Sequence, residues 1–109
     1  MPIAKRLSKK KDIDNVFKKG KSFYNNIIGI KIIKNNEQII RTGVIVSNKV
    51  SKKAVERNLY KRRIRAIDRE TNKNDSFDIL YIALPPIKEA DFNEIKESIL
   101  GGLKKLKVI

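Results

Sequence analysis

The chain predicts an α/β fold of the α+β kind, helices packed on a sheet in one domain, and three features predict it. Isoleucines at 28, 30 and 32 alternate onto one side of a strand. The run FDILYIAL, residues 77–84, is apolar throughout, as suits a strand covered on both faces. Three further segments repeat apolar residues at the helical spacing of three and four. The order is helix, strands, helix, strand, helix. With 109 residues, 40% of them hydrophobic, the chain can bury one core but not two.

Ser8 is placed to cap a first short helix, in which Ile13, Val16 and Phe17 share a stripe and Gly20 stands at the end. One strand is expected from Ser22 to Lys34, followed by a turn of Asn35, Asn36, Glu37 and Gln38. The β-prone run IIRTGVIVS, Ile39 to Ser47, would pair back on it as a hairpin. A long basic helix follows within Ser47–Glu70, and a polar link, Asn72 to Ser76, leads into the apolar strand that Pro85 and Pro86 stop. The last helix opens at Asp91, with Glu94 three residues on as in a capping box, and lines up Phe92, Ile95, Ile99, Leu103 and Leu106. Gly101 and Gly102 weaken its second half.

Charge narrows the function. Lys and Arg total 26 against 12 acidic residues, a net charge of +14, and self-repulsion of that size in a small domain implies a polyanionic partner. Residues 1–21 carry eight basic and two acidic groups, and residues 47–70 carry nine and three, so two segments hold twelve of the fourteen net charges. In the second segment Arg57, Lys61, Arg65 and Arg69 follow at i, i+4, with Asn58 and Arg62 beside them, on an arc of roughly 140°. Lys49, Lys52 and Lys53 precede them. A charge run on a helix is ordinarily a solvated face. Here only Asp68 offers an acidic partner on that side, and Arg outnumbers Lys from position 57 onward, which suits bidentate phosphate contact.

The opposite side of this helix divides into two apolar lobes, Val55, Leu59 and Ala66, and Tyr60, Ile64 and Ile67, with Glu56 and Arg63 between them. Either the stems of those two residues lie along the core edge or the helix is rotated. Phe17, Phe23 and Tyr24 could each stack on an unpaired base, or Phe17 could simply pack its helix on the sheet.

The chain has no His, no Cys, no Gly-rich phosphate loop and no carboxylate cluster, so an active site of its own is not expected: no catalytic residue, no metal ligand. Its start, MPIAKRLSKK, lacks the apolar core of a secretory signal, and no run is long enough to span a bilayer. A cytoplasmic protein, monomeric by itself, is expected.

The order of VFKKGKSF, RTGVIVS, AVERNLYKRRIR and DILYIA, from about Leu7 to Leu106, resembles the protein subunit of bacterial ribonuclease P. The family's arginine-asparagine-arginine signature, with its following Lys-Arg and Arg, is matched at Arg57, Asn58, Lys61, Arg62 and Arg65. Leu59 stands where the second signature arginine is usual, and Asn48 replaces one of two lysines, leaving Lys49. Ile13 stands where an aromatic is frequent, and Leu84 where an arginine commonly ends the strand.

The resemblance implies a two-layer sandwich, a mixed four-stranded sheet packed with helices, with a left-handed β-α-β crossover that contains the signature helix. It implies an endoribonuclease holoenzyme whose catalytic centre lies in an RNA subunit. That RNA uses Mg²⁺, which it mainly holds itself, to remove the 5′ leader of precursor tRNA. The protein would contact the RNA subunit through Lys49, Lys52, Lys53, Arg57, Asn58, Lys61, Arg62, Arg65 and Arg69. Phe17, Ile13 and Lys31 would line a cleft for the leader. The competing reading is a basic RNA- or DNA-binding module, such as a ribosome-associated protein, with no part in cleavage; a membrane-surface helix would need aromatic or leucine anchors beneath the basic face.

Overall fold

The structure is a computed structural model that describes residues 3–109; the first two residues of the opening stretch discussed above lie outside them. Five strands form one mixed sheet in the order β1-β4-β5-β3-β2. The strands are β1 (Ile3–Arg6), β2 (Lys21–Tyr24), β3 (Ile28–Lys34), β4 (Ile39–Ile45) and β5 (Phe77–Ala83). The helices are α1 (Lys10–Lys19), α2 (Ala54–Glu70) and α3 (Phe92–Lys105), with a 3-10 turn over Pro85–Glu89.

The sheet has five strands, where the resemblance implied four and the β-prone runs along the sequence three; two local features account for the two added to those runs. The charged stretch at the start contributes β1, which runs parallel to β4 from Ile3 beside Ile39 to Arg6 beside Thr42. The single strand expected from Ser22 to Lys34 is broken at Asn25, whose Oδ1 accepts from the backbone N–H groups of Ile27 and Ile28 at 3.0 and 2.9 Å. That Asx turn folds β2 back antiparallel on β3.

The hairpin expected between β3 and β4 does not form, because β5 lies between them, antiparallel to β3 and parallel to β4. Asn35–Gln38 still turns the chain, with Gln38 at φ 56°, but it spans the width of one inserted strand. The parallel neighbours β4 and β5 are joined through α2, giving the β-α-β unit.

β5 is apolar on both sides, and the alternation sorts its residues to two cores. Ile79 and Tyr81 face Ile28, Ile30 and Ile32 of β3 in a core closed by Tyr60, Ile64 and Ile67 of α2 and Ile95, Ile99 and Leu103 of α3. Leu80 faces the other way, onto Val16 of α1 and Leu7, with Ile13, Ile33, Ile45 and Ile82 around them. Thus α2 and α3 form the second layer of the sandwich, and α1 crosses the opposite face.

Capping follows the sequence at α3 and departs from it at α1. Asp91 Oδ1 accepts from Glu94 N–H at 2.8 Å and the Glu94 side chain reaches back to Asp91 N–H, the capping box expected for α3. Ser8 does not cap α1; Lys9 is the N-cap and makes no side-chain bond. Ser51 serves α2 from outside the helix. Its hydroxyl accepts from Lys53 N–H and donates to Glu56 Oε1 at 2.6 Å, and this bond holds the Glu56 carboxyl below its usual range. Gly20 is required by space, since a Cβ there would meet Val16 O at 2.4 Å and Ile32 O at 2.7 Å.

One polar network ties α1 to the sheet. Arg41 lies opposite Asp78 in the β4–β5 register and donates to it twice, Nε to Oδ1 at 2.8 Å and Nη2 to Oδ2 at 2.9 Å. Its Nη1 reaches Asp12 of α1 at 3.3 Å, and Asn35 Nδ2 donates to Asp78 at 2.8 Å. The bond to Asp78 raises the Arg41 pKa above its usual value, against the burial that lowers it.

Replacing Arg41 by Ala leaves the buried Asp78 carboxylate without its cation and should cost about 3–5 kcal/mol in chemical denaturation. The two adjacent glycines of α3 should separate. At Gly102 a Cβ would meet the Phe23 ring at 2.6 Å and Ile30 Cδ1 at 2.7 Å, so Gly102→Ala should destabilise by about 1–3 kcal/mol. At Gly101 nothing lies within 4 Å, so Gly101→Ala should raise the melting temperature through about 0.5–1 kcal/mol of helix propensity.

Candidate nucleic-acid interface

Two surfaces carry the predicted residues, and the sheet stands between the cores beneath them. On the first, α2 turns Tyr60, Ile64 and Ile67 into the core, which settles the orientation the sequence left open. The lobe of Val55, Leu59 and Ala66 faces outward: Val55 is 78% exposed, and Leu59 and Ala66 are half-buried. Arg63 keeps its stem along the core edge, its guanidinium 5.8 Å from the Tyr60 ring centre.

The row predicted from spacing is therefore one surface. Asn58, Arg62 and Arg69 are exposed, and Arg57, Lys61 and Arg65 are half-buried at its margin. Lys49, Lys52 and Lys53 are exposed in the connection before α2, which begins at Ala54 rather than Ser47. Arg57 also has a local task, since its Nη1 donates to Ser51 O at 3.0 Å and ties that connection to the helix.

Asp68, the one carboxylate read as facing the basic row, turns inward. It accepts the Tyr81 hydroxyl at 2.8 Å and pairs with Lys73 Nζ at 2.8 Å. Burial pushes the Tyr81 phenol well above its ordinary pKa, and the Asp68 charge adds to the shift. Among the described residues, none of the nine cations between Lys49 and Arg69 has a carboxylate within 4 Å. Such a surface repels itself until an anion answers it.

The second surface is the open part of the face that α1 crosses. Val16 anchors α1, which leaves Phe17 44% exposed and Ile13 half-buried against Leu7 and Leu80. Lys31 of β3 stands between two rings, its Nζ 5.4 Å from the centre of Phe17 and 5.6 Å from that of Tyr24, and it donates to Ser22 Oγ at 2.9 Å. The register explains the grouping, since Ser22 pairs with Lys31 and Tyr24 with Gly29. A Cβ at Gly29 would meet the Tyr24 ring at 2.4 Å, so the glycine lets that ring lie across the strand.

All three residues predicted for the cleft lie on this face. Tyr24 and Ser22 join them, and the alternation of β2 would have shown this had the turn at Asn25 been recognised. Phe23 falls on the other face, against Gly102. Together the elements offer a cation flanked by two aromatic faces, suited to an unpaired base beside its phosphate.

The acidic groups that gather, Asp12, Glu37 and Asp78, all converge on the single guanidinium of Arg41. Among the described residues, no group of three or more His, Cys, Asp or Glu side chains is arranged to hold a metal ion. No described helix is long and apolar enough to cross a membrane.

Comparison with known proteins gives a consistent result. A family model described as Ribonuclease P matches residues 1–107. The ribonuclease P protein component of Alkaliphilus metalliredigens is 36% identical over 106 residues, covering 95% of each chain. That of Clostridioides difficile is 38% identical over 104 residues, covering 93% of this chain and 90% of the other. Among solved structures, the Staphylococcus aureus RNase P protein at 34% identity superposes with a TM-score of 0.84, over 94% of this chain and 95% of that one. The Thermotoga maritima RNase P protein, at 31% identity, superposes with a TM-score of 0.78 over 88% and 92%. Sheet order, helix placement and sequence together show that this chain belongs to the ribonuclease P protein family of bacteria.

Proposed function

We propose that the protein is the protein subunit of a ribonuclease P holoenzyme, binding a catalytic RNA through α2 and the 5′ leader of precursor tRNA through the cleft beside α1. The observation that carries this reading is the α2 surface, where nine cations from Lys49 to Arg69 stand without a carboxylate partner among the described residues. Arginine forks along the row donate to backbone phosphates in pairs, and Asn58 adds a neutral donor and acceptor. Leu59 contributes no charge, and Arg62 and Arg63, one turn further along the helix, carry that part of the surface.

In the cleft, Phe17 and Tyr24 stack on unpaired bases and Lys31 neutralises the backbone beside them. Ile13 supplies an apolar wall beside Leu7 and Leu80. Hydrolysis of the phosphodiester bond uses Mg²⁺ held by the RNA. The contribution of this chain is to bind and position. The membership of the family supports this division, as does the lack of His and Cys in the chain.

The decisive measurement adds the protein to a bacterial ribonuclease P RNA and precursor tRNA at low Mg²⁺. Stimulated release of the leader is expected; no stimulation with any cognate RNA would leave only a binding module. Steep salt dependence of RNA binding accompanies either outcome and does not separate them.

Two sets of variants locate the surfaces. Arg62→Ala and Arg65→Ala should each weaken binding to the RNA subunit about tenfold, equivalent to about 1.4 kcal/mol, while stability changes by less than about 0.5 kcal/mol. Unchanged affinity in both would remove the α2 face from the interface. Phe17→Ala should lose about 1–3 kcal/mol of affinity for precursor with a leader and far less for mature tRNA. An equal loss for both substrates with a lower melting temperature would return Phe17 to a packing role.

A further inference from the structure

Arg6 belongs to neither set of predicted contacts, yet the fold brings it to one of them. It ends β1 at the sheet edge opposite β2, about 19 Å away at roughly 4.8 Å per strand step, so it is remote from the Phe17 and Tyr24 rings. Parallel pairing sets Arg6 beside Thr42 of β4. From there Lys5, Arg6, Thr42, Arg65, Asp68 and Arg69 line a single notch between β1 and the C-terminal half of α2.

Three arginines from two elements therefore line one recess. Their charges are felt by the half-buried member: burial lowers the Arg65 pKa first and the Arg6 charge lowers it next, Asp68 opposes, and Arg69 adds a smaller lowering. Asp68 offsets them only in part, because its carboxylate already takes the Tyr81 hydroxyl and Lys73 Nζ. Among the described residues, none of Arg6, Arg65 and Arg69 has a carboxylate within 4 Å. Parallel pairing with β4 carries Arg6 to the sheet edge beside the C-terminal half of α2.

We infer that the notch between β1 and α2 binds one backbone phosphate of the RNA subunit, gripped jointly by Arg6, Arg65 and Arg69. The planar fork suits this, because two guanidinium groups can each give a phosphate two parallel N–H bonds, which an ammonium cannot. This rests on the reading of α2 as the RNA-subunit surface, and it extends that surface across the sheet edge onto β1. The basic segment at the start of the chain then has a definite partner through Arg6.

The test measures binding of the full chain to the RNA subunit across a salt series for Arg6→Ala, Arg6→Lys and Arg69→Ala. Arg6→Ala should lose affinity about five- to tenfold and flatten the log–log salt slope by about one phosphate contact. Arg6→Lys should restore the slope but only part of the affinity. Arg6→Ala and Arg69→Ala together should cost less than the product of their separate effects, because they share a ligand. Melting of Arg6→Ala without RNA should match the parent; if it does not, the Arg6→Lys comparison decides alone.

Unchanged affinity and slope for both Arg6 variants, while Arg62→Ala still weakens binding, would overturn the notch and leave the α2 surface standing. If Arg62→Ala is silent as well, the reading of α2 itself fails. A loss confined to precursor tRNA, with binding to the RNA subunit intact, would also overturn the inference by assigning the phosphate to the substrate.

Discussion

Insertion of β5 between β3 and β4 is the constraint on which the other features depend. A strand paired on both edges and apolar on both faces must be covered twice, so helices are drawn to both sides of the sheet. Ile79 and Tyr81 take α2 and α3, and Leu80 takes α1. α1 is short and held by Val16, so it covers only part of its face and leaves the Phe17, Tyr24 and Lys31 side chains at an open cleft. The two surfaces of the protein are thus separated by the sheet itself.

Placing a charged residue within that central strand carries a cost that the neighbouring strand meets. Asp78 is buried in β5, and its cross-strand partner Arg41 answers it with two hydrogen bonds while reaching Asp12 on α1. Removing Arg41 would leave the buried Asp78 charge without its cation, which is why such a pair fixes register and helix placement more surely than it adds stability. Asp68 performs a similar service beneath α2, pairing with Lys73 and the Tyr81 hydroxyl rather than with a cation of the row. The cations from Lys49 to Arg69 are left with mutual repulsion, which a polyanionic partner would relieve.

Much of the helix chemistry was legible along the chain. The i, i+4 row of Arg57, Lys61, Arg65 and Arg69 and the capping box at Asp91 depend on contacts within one or two turns, so spacing suffices to find them. The break at Asn25 was legible in principle, since an Asx turn is local, but the continuous Ile-rich run masked it. Ser51 as the organiser of the α2 start was harder, because it lies three residues ahead of the helix and bonds to Glu56 across the connection. The choice between the Val55 and Tyr60 lobes of α2 needed the position of the core.

The sequence by itself determined the family signature, the strong basic bias of two segments and the identity of each long element, because composition and periodicity are properties of neighbours along the chain. Tertiary structure alone decided that β5 separates β3 from β4, that Tyr24 lies over Gly29 beside Lys31, and that Arg6 meets Arg65 and Arg69. Strand order and the convergence of residues some sixty positions apart are set by which buried faces can be covered together, and that condition is met only when the whole chain has packed.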